Sequence, residues 1–308
     1  MVVVLAAACL YVLLVVPTMP QAFQDQAILL LALHLALLSW ICVGLALIGI
    51  KSRSQERFGF LMKSLEVFIT GGLYGMAFYA FAMITIGMFA ALSIEIPELV
   101  LRLLLAGGAG MVPIVAIASI YNPSLSPFQQ DFRQGLSKFI ANMMRLLLPL
   151  TLVVMVIYLG FIPFKFLQPF QNRDVLIIYN AMLFAVMALL VGATPIRPDD
   201  LSQKLQAALR RGLLAVAALA VIISLYALSA VVYRTFLGGW TINRLAVVGW
   251  NVLNIILLVV LVIRLGLREA RPSQESWVNV LYQVFGLGAI GYTCWGLFII
   301  LAVPLLFR

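Results

Sequence analysis

Long hydrophobic runs separated by short polar segments dominate the pattern of this chain. A helix needs about 20 apolar residues to cross the hydrocarbon core of a bilayer, whereas the strands of a membrane barrel are about half as long and alternate in polarity. The pattern therefore predicts an all-α fold, a polytopic transmembrane helical bundle with about nine spans. The predicted spans lie at residues 1–17, 27–50, 65–92, 99–120, 139–162, 175–193, 212–232, 243–263 and 277–303.

The polar segments between the spans predict how the chain is threaded through the membrane. When successive spans alternate in direction, fourteen of the 20 Lys and Arg residues fall on one side and six on the other. Cytoplasmic segments are enriched in Lys and Arg, so the N-terminus is predicted inside and the C-terminus outside. The first run carries no basic residues at its start and no convincing cleavage site. We therefore predict that it is a retained span and not a signal peptide.

The composition predicts one membrane domain covering residues 1–308. The mean hydropathy of +1.13 and the hydrophobic fraction of 64% lie outside the usual range of soluble proteins. The polar stretches are too short to form a domain with its own core. Two of them, near 125–138 and 199–211, are predicted to be amphipathic segments at the membrane surface on the cytoplasmic side.

The charge and the rarer residues indicate partners and limit the chemistry. A net charge of +9 confined to short loops suits an anionic lipid surface, whereas nucleic-acid binding would need one basic face. We therefore expect the lipid bilayer as a partner, with other membrane subunits as a further possibility, and no nucleic acid. One His and three widely separated Cys predict no metal site, no disulfide framework and no cofactor. Nucleotide-binding and familiar hydrolase motifs are missing from the sequence.

Glu66 is the only acid predicted to lie inside a span, where ionisable residues are costly. One interpretation pairs it with Lys63, three residues earlier on the same helix. The other pairs it with Arg145, which enters the fifth span from the same side at a similar depth. The second interpretation predicts a buried structural ion pair, Glu66–Arg145, that stabilises packing.

Polar residues in the outer half of the bundle form the second candidate set. Arg244, Asn251 and Asn254 fall on one stripe of the eighth span, which we expect to face the protein interior. One interpretation is that the amides, His34 and Asn180 form hydrogen bonds between helices. The other is that all five residues line an outward-facing polar cavity, with Arg244 recognising a phosphate or carboxylate.

Three stretches in sequence order carry a family resemblance. They are GGLYG at 71–75 followed by IEIPE at 94–98, then MRLLLPL at 144–150 leading into VIYL at 156–159, and GWTINRL at 239–245. Over roughly residues 60–265 the chain resembles the bacterial inner-membrane proteins grouped as domain-of-unknown-function family 4153. The resemblance implies a polytopic inner-membrane protein with no established reaction, and it singles out Arg145 and Arg244.

These features leave three classes of function. A non-catalytic membrane subunit or assembly factor is favoured by the few charges inside spans and the many small-residue packing motifs. A transporter or lipid-handling protein with a polar cavity is favoured by the mid-membrane amides and by spans predicted to break at Pro113 and Pro149. A membrane enzyme is disfavoured because no acid, base and nucleophile converge. The sequence favours the first class, in the bacterial cytoplasmic membrane.

Overall fold

The computed structural model describes residues 2–91, 96–133, 135–270 and 276–308, and within these ranges all regular secondary structure is helical. Met1 and residue 92 at the ends of predicted spans, Arg271 of the basic loops and residues 94–95 of one family stretch lie outside the described residues. The main helices are α1 (Val2–Val15), α2 (Gln21–Ile48), α3 (Ser54–Ala91), α4 (Glu98–Ile120), α5 (Gly135–Phe161), α6 (Arg173–Ala193), α7 (Gln203–Gly238), α8 (Ile242–Ala270) and α9 (Val278–Leu301).

The predicted all-α polytopic bundle is confirmed. Within the described ranges, 8 helices, α2 to α9, are long and apolar enough to cross a membrane. The chain is therefore a multi-pass membrane protein. The first predicted span forms a shorter apolar helix, Val2–Thr18 including its last 3₁₀ turn. Whether it crosses the membrane as a ninth span stays a prediction.

The two predicted surface segments do not form separate helices. Residues 203–211 are the first turns of α7, whose N-terminus is capped by the Ser202 hydroxyl accepting from the Leu205 N–H at 3.4 Å. No proline separates these turns from the membrane-spanning part, so the helix continues through Gly238. Residues 135–138 likewise begin α5, after a single 3₁₀ turn at Pro127–Gln129.

The spans predicted to break at proline are continuous helices. Pro113 lies inside α4 and Pro149 inside α5. A proline removes one backbone donor, but a bilayer rewards a helix that keeps its other backbone hydrogen bonds within the segment. The predicted breaks at Pro113 and Pro149 are therefore wrong.

The main hydrophobic core is formed mostly by helices α5 to α9, and α7 lies at its centre. Ala217, Ala220 and Ala230 of α7 are completely buried, which lets neighbouring helices approach closely. α9 packs against α2, α3 and α8, and α1 lies outside α2. α4 packs mainly on α3 and lies at the periphery, whereas α3 also reaches the core through Phe58 and Met62.

Loops predicted on the same side of the membrane meet at the same end of the bundle. At the basic end, formed by loops 49–53, 121–133 and 194–202 and the start of α9, the Tyr282 hydroxyl donates to the carbonyls of Pro195 and Ile196. At the opposite end, formed by loops 16–20, 162–172 and 239–241 and the C-terminus, Arg234 donates to the Gln171 carbonyl. This placement supports the alternating threading that the charge pattern predicts.

Candidate functional site

A polar pocket of about 260 Å³ lies between α2, α6, α7 and α8 at the end opposite the basic end. Three arginines and four uncharged polar residues line it, with apolar residues behind them. We name it the arginine pocket. Its polar lining consists of Arg173, Arg234, Arg244, Gln26, Asn180, Thr241 and Asn243.

The ends of three helices bring the arginines together. Arg173 is the first residue of α6, Arg234 lies in the last turns of α7, and Arg244 lies in the first turn of α8. Arg244 Nη1 donates to the Gly239 carbonyl at 2.6 Å, and Arg234 Nη1 donates to the Gln171 carbonyl at 3.0 Å. A guanidinium has five N–H donors in a planar fork. Each of these two guanidinium groups is therefore anchored through its Nη1, and its other N–H donors remain available for a ligand.

The pocket is electropositive. Its lining contains no carboxylate, and none of the salt bridges found among the described residues involves Arg173, Arg234 or Arg244. Asp25 and Asp174, next to lining residues in sequence, are exposed and do not line the pocket. The N-termini of α6 and α8 add positive partial charge. This lining is electrostatically complementary to an anion. In the part of the chain that the structure describes, no group of three or more His, Cys, Asp or Glu could hold a metal ion.

An apolar groove of about 810 Å³ adjoins the arginine pocket and is lined by α2, α3, α6, α8 and α9. Leu30 and Ile48 of α2 both line it, so at 1.5 Å per residue it extends about 27 Å along the bundle. Leu33 and Leu37 in its wall are 58% and 41% exposed. The apolar groove therefore runs through most of the membrane thickness and opens sideways.

The apolar groove and the arginine pocket share part of their lining. Arg173, Asn243 and Val247 contribute to both. A molecule with an anionic group and an apolar chain would meet complementary surfaces on the two sides of this junction. The pocket alone would suit a small anion, and the groove alone would suit any apolar chain.

The predicted stripe on α8 faces the protein interior. Asn251 is 4% exposed and Asn254 is fully buried, which confirms the expected orientation. Asn251 Nδ2 donates to Asn180 Oδ1 at 2.7 Å, and Asn254 Oδ1 accepts from the Tyr292 hydroxyl at 2.5 Å. Both amides therefore hold helices together, and Asn251 also supports Asn180 in the pocket wall.

His34 lies in the apolar groove and not in the arginine pocket. Trp250 Nε1 donates to His34 Nε2 at 3.2 Å, so the ring proton resides on Nδ1, which donates to the Leu30 carbonyl at 2.7 Å. Of the five residues predicted to share one cavity, the structure brings Arg244 and Asn180 together. It places Asn251 behind them, and Asn254 and His34 elsewhere.

Glu66 and Arg145 do not form an ion pair in the structure. The Glu66 carboxylate binds Lys63 Nζ at 2.7 Å and accepts from the Ser137 hydroxyl at 2.8 Å. Arg145 Nε is buried without a hydrogen-bond partner. Lys63 is favoured as the partner because it lies three residues away on the same helix, where the two side chains meet without any rearrangement.

Sequence reasoning missed Arg173, Arg234 and Gln26 as pocket residues. In the sequence both arginines are loop charges on the side poor in basic residues, and nothing else distinguishes them. Three of the six basic residues on that side line the arginine pocket, and this concentration was the available signal. The groove has no comparable signal, because its lining, apart from a few polar residues such as His34 and Arg173, consists of apolar residues that are common in any span.

Comparison with models of known protein families, with curated proteins and with solved structures finds no match to this chain. The resemblance to domain-of-unknown-function family 4153 stays a prediction.

Proposed function

We propose that this protein is a lipid-handling protein of the bacterial cytoplasmic membrane that holds a lipid chain in the apolar groove. The observation that carries the proposal is the membrane-deep groove, open sideways, that joins a polar pocket at one end. A chain can enter such a groove directly from the bilayer without crossing water.

The bilayer itself determines what gives such a site its affinity. Lipid tails are as apolar as the groove wall, so moving a chain from the bilayer into the groove gains little hydrophobic free energy. Affinity then depends on van der Waals fit along the wall and on polar contacts at its end. The shared lining of groove and pocket supplies both kinds of contact to one molecule.

The alternative function, a non-catalytic subunit or assembly factor, has no comparably specific feature. The exposed apolar residues of α4, such as Leu99 and Leu103 at 68% and 65%, suit a partner subunit and a lipid-facing helix equally. The groove distinguishes the two functions, because a lipid can bind in it only if no partner protein occupies it.

Filling the groove from within tests the proposal. Gly296 of α9 is buried and lines the groove, and a Cβ at this position would meet no atom within 4 Å. Gly296→Phe therefore projects a ring into the groove without a backbone clash. We expect the variant, purified in mild detergent from native membranes, to carry several-fold less lipid by quantitative mass spectrometry than the unaltered protein.

The matched control is Gly72→Phe on α3. Gly72 also has no atom within 4 Å of an added Cβ, but it is exposed and does not line the groove. This control should retain the bound lipid. Equal lipid in all three proteins would contradict the proposal, and a co-purifying protein that protects groove residues from labelling would favour the subunit function.

A further inference from the structure

We infer that the arginine pocket binds the head group of an anionic phospholipid whose head group also carries a hydroxyl. The inference rests on the proposed function, since it names the lipid class that the apolar groove would hold. It uses the charge of the pocket, an unpaired acceptor in its wall, and the junction with the groove.

The first argument is the positive charge left available. The side chain of Arg173 is exposed and forms no hydrogen bond or salt bridge to any described residue, so its guanidinium is available to a ligand. Arg234 and Arg244 each use Nη1 for a backbone carbonyl and are half-buried. Guanidinium forks match the oxygens of phosphate, and such charge-assisted hydrogen bonds are about twice as strong as neutral ones.

The second argument is an orphaned acceptor. Gln26 lines the pocket, and its Oε1 atom is buried with no hydrogen-bond partner among the described residues. A buried acceptor without a donor is unfavourable, so a ligand that supplies a donor is favoured. An ammonium donor would be repelled by three arginines, whereas a neutral hydroxyl would not. The pocket therefore suits a hydroxyl-bearing head group better than an ethanolamine or a choline.

The third argument is the position of Arg173. It lines both the pocket and the groove, where the phosphate of a lipid would join its apolar part. A volume of about 260 Å³ is far more than the 10–15 Å³ that a single water needs, so the pocket has room for a head group beyond the phosphate. The pocket thus provides contacts for phosphate and hydroxyl while the chain remains in the groove.

The test compares lipids and variants on the full chain in lipid nanodiscs, with bound lipid measured by native mass spectrometry. The probes are phosphatidylglycerol, phosphatidylethanolamine and phosphatidylcholine with identical chains. We expect phosphatidylglycerol to bind in preference to both others. Arg173→Gln should reduce phosphatidylglycerol binding about tenfold or more, since charge-assisted hydrogen bonds to its phosphate are lost. It should also reduce this preference, since one of the three cations that repel an ammonium head group is removed. A fourth probe, phosphatidic acid with the same chains, lacks the hydroxyl-bearing head group, and Gln26→Leu should reduce the preference for phosphatidylglycerol over it.

The control is Arg102→Gln. Arg102 is exposed, pairs with Glu98 at 2.5 Å and does not line the pocket, so the preference should be unchanged. Loss of the preference in both arginine variants would reflect net charge and overturn the inference. Equal binding of phosphatidylglycerol, phosphatidylethanolamine and phosphatidylcholine would also overturn the inference. The proposed function would still hold in that case if Gly296→Phe reduced the binding of all three lipids.

A second arm separates a lipid head group from a free anion. Glycerol 3-phosphate and inorganic phosphate are added to protein loaded with phosphatidylglycerol. Retention of the lipid at millimolar anion supports a lipid site, because the groove contributes to its affinity. Displacement by either anion at micromolar concentration would assign the pocket to a soluble phosphate compound and contradict the inference.

Discussion

Two sites at opposite ends of the bundle treat positive charge in opposite ways. At the basic end, Lys63 is 3% exposed and its Nζ lies within 3.4 Å of Glu66, Ser137 and the carbonyls of Ile120 and Asp131. We name this set the lysine cluster. At the opposite end, the arginine pocket gathers three cations and no carboxylate. The charge of the lysine cluster is compensated within the protein, whereas no described carboxylate compensates the charge of the arginine pocket.

The difference shows why counting charges does not locate function. The side with fourteen basic residues contains the lysine cluster, which joins a loop to helices, and the Arg133–Asp200 pair at 2.6 Å, which joins two loops. The candidate site lies on the side with six. A buried cation that is paired within the protein needs no further partner, whereas an uncompensated cluster in a pocket is a candidate ligand site.

Membrane orientation gives the largest expected effect, since it is all-or-none. The charge pattern predicts the lysine cluster near the cytoplasm and the arginine pocket at the outer face. Gln55, Gln171 and Gln203 are exposed and suit single cysteine substitutions. In intact cells, a membrane-impermeant maleimide should label Gln171→Cys and leave Gln55→Cys and Gln203→Cys unlabelled.

The control is the same labelling after the cells are opened, when all three positions should react. The native cysteines Cys9, Cys42 and Cys294 are free and would be replaced by alanine first. Labelling of Gln203→Cys in intact cells would reverse the predicted orientation and place the arginine pocket on the cytoplasmic side.

The lysine cluster gives the second largest effect. Removing one partner of a buried ion pair costs about 3–5 kcal/mol because the other charge is stranded. Glu66→Gln and Lys63→Met should each lower the thermal unfolding temperature in detergent, followed by tryptophan fluorescence. The double variant should lose clearly less than the sum, since neither charge then remains.

Arg145 is the control for the same experiment. Because Arg145 does not bind Glu66 in the structure, the effects of Arg145→Gln and Glu66→Gln should add within about 0.5 kcal/mol. A coupling between Glu66 and Arg145 as large as that between Glu66 and Lys63 would restore the pair expected from the sequence.

The sequence predicts the membrane helices well because hydrophobic length is a local property. The predicted ends of the helices are less accurate. α3 begins at Ser54, eleven residues before the predicted span, because the polar turns that contain Glu56 and Arg57 remain helical outside the apolar run. The orientation of the α8 stripe was also predictable, since lipid rejects Asn251 and Asn254.

The candidate site was only partly predictable because it depends on which helices become neighbours. Arg244 and Asn180 were selected from their own spans, but Arg173 and Arg234 join them only through the packing of α6 and α7 beside α8. The apolar groove is a gap between helices, and no residue type marks a gap. Glu66 shows the same limit, since helical spacing favours Lys63 as its partner, depth favours Arg145, and only the packing selects between them.

Replacing an arginine of the arginine pocket gives the smallest expected change in stability. The change is a gain and not a loss, which distinguishes this pocket from the lysine cluster. Like charges in one pocket repel, and Arg173 contributes no hydrogen bond to offset this among the described residues. Arg173→Gln should therefore raise the free energy of unfolding slightly, by up to about 0.5 kcal/mol. Arg102→Gln should lower the free energy of unfolding slightly, because exposed pairs contribute about 0.2–1 kcal/mol.

A high salt concentration distinguishes the Arg173 and Arg102 variants further. At 1 M NaCl the Debye length falls to about 3 Å, which screens the repulsion in the pocket, so the gain from Arg173→Gln should disappear in thermal unfolding of delipidated protein. A loss of stability from Arg173→Gln as large as that from Lys63→Met would mean that the pocket arginines stabilise the fold, and the contrast between the two ends would fail.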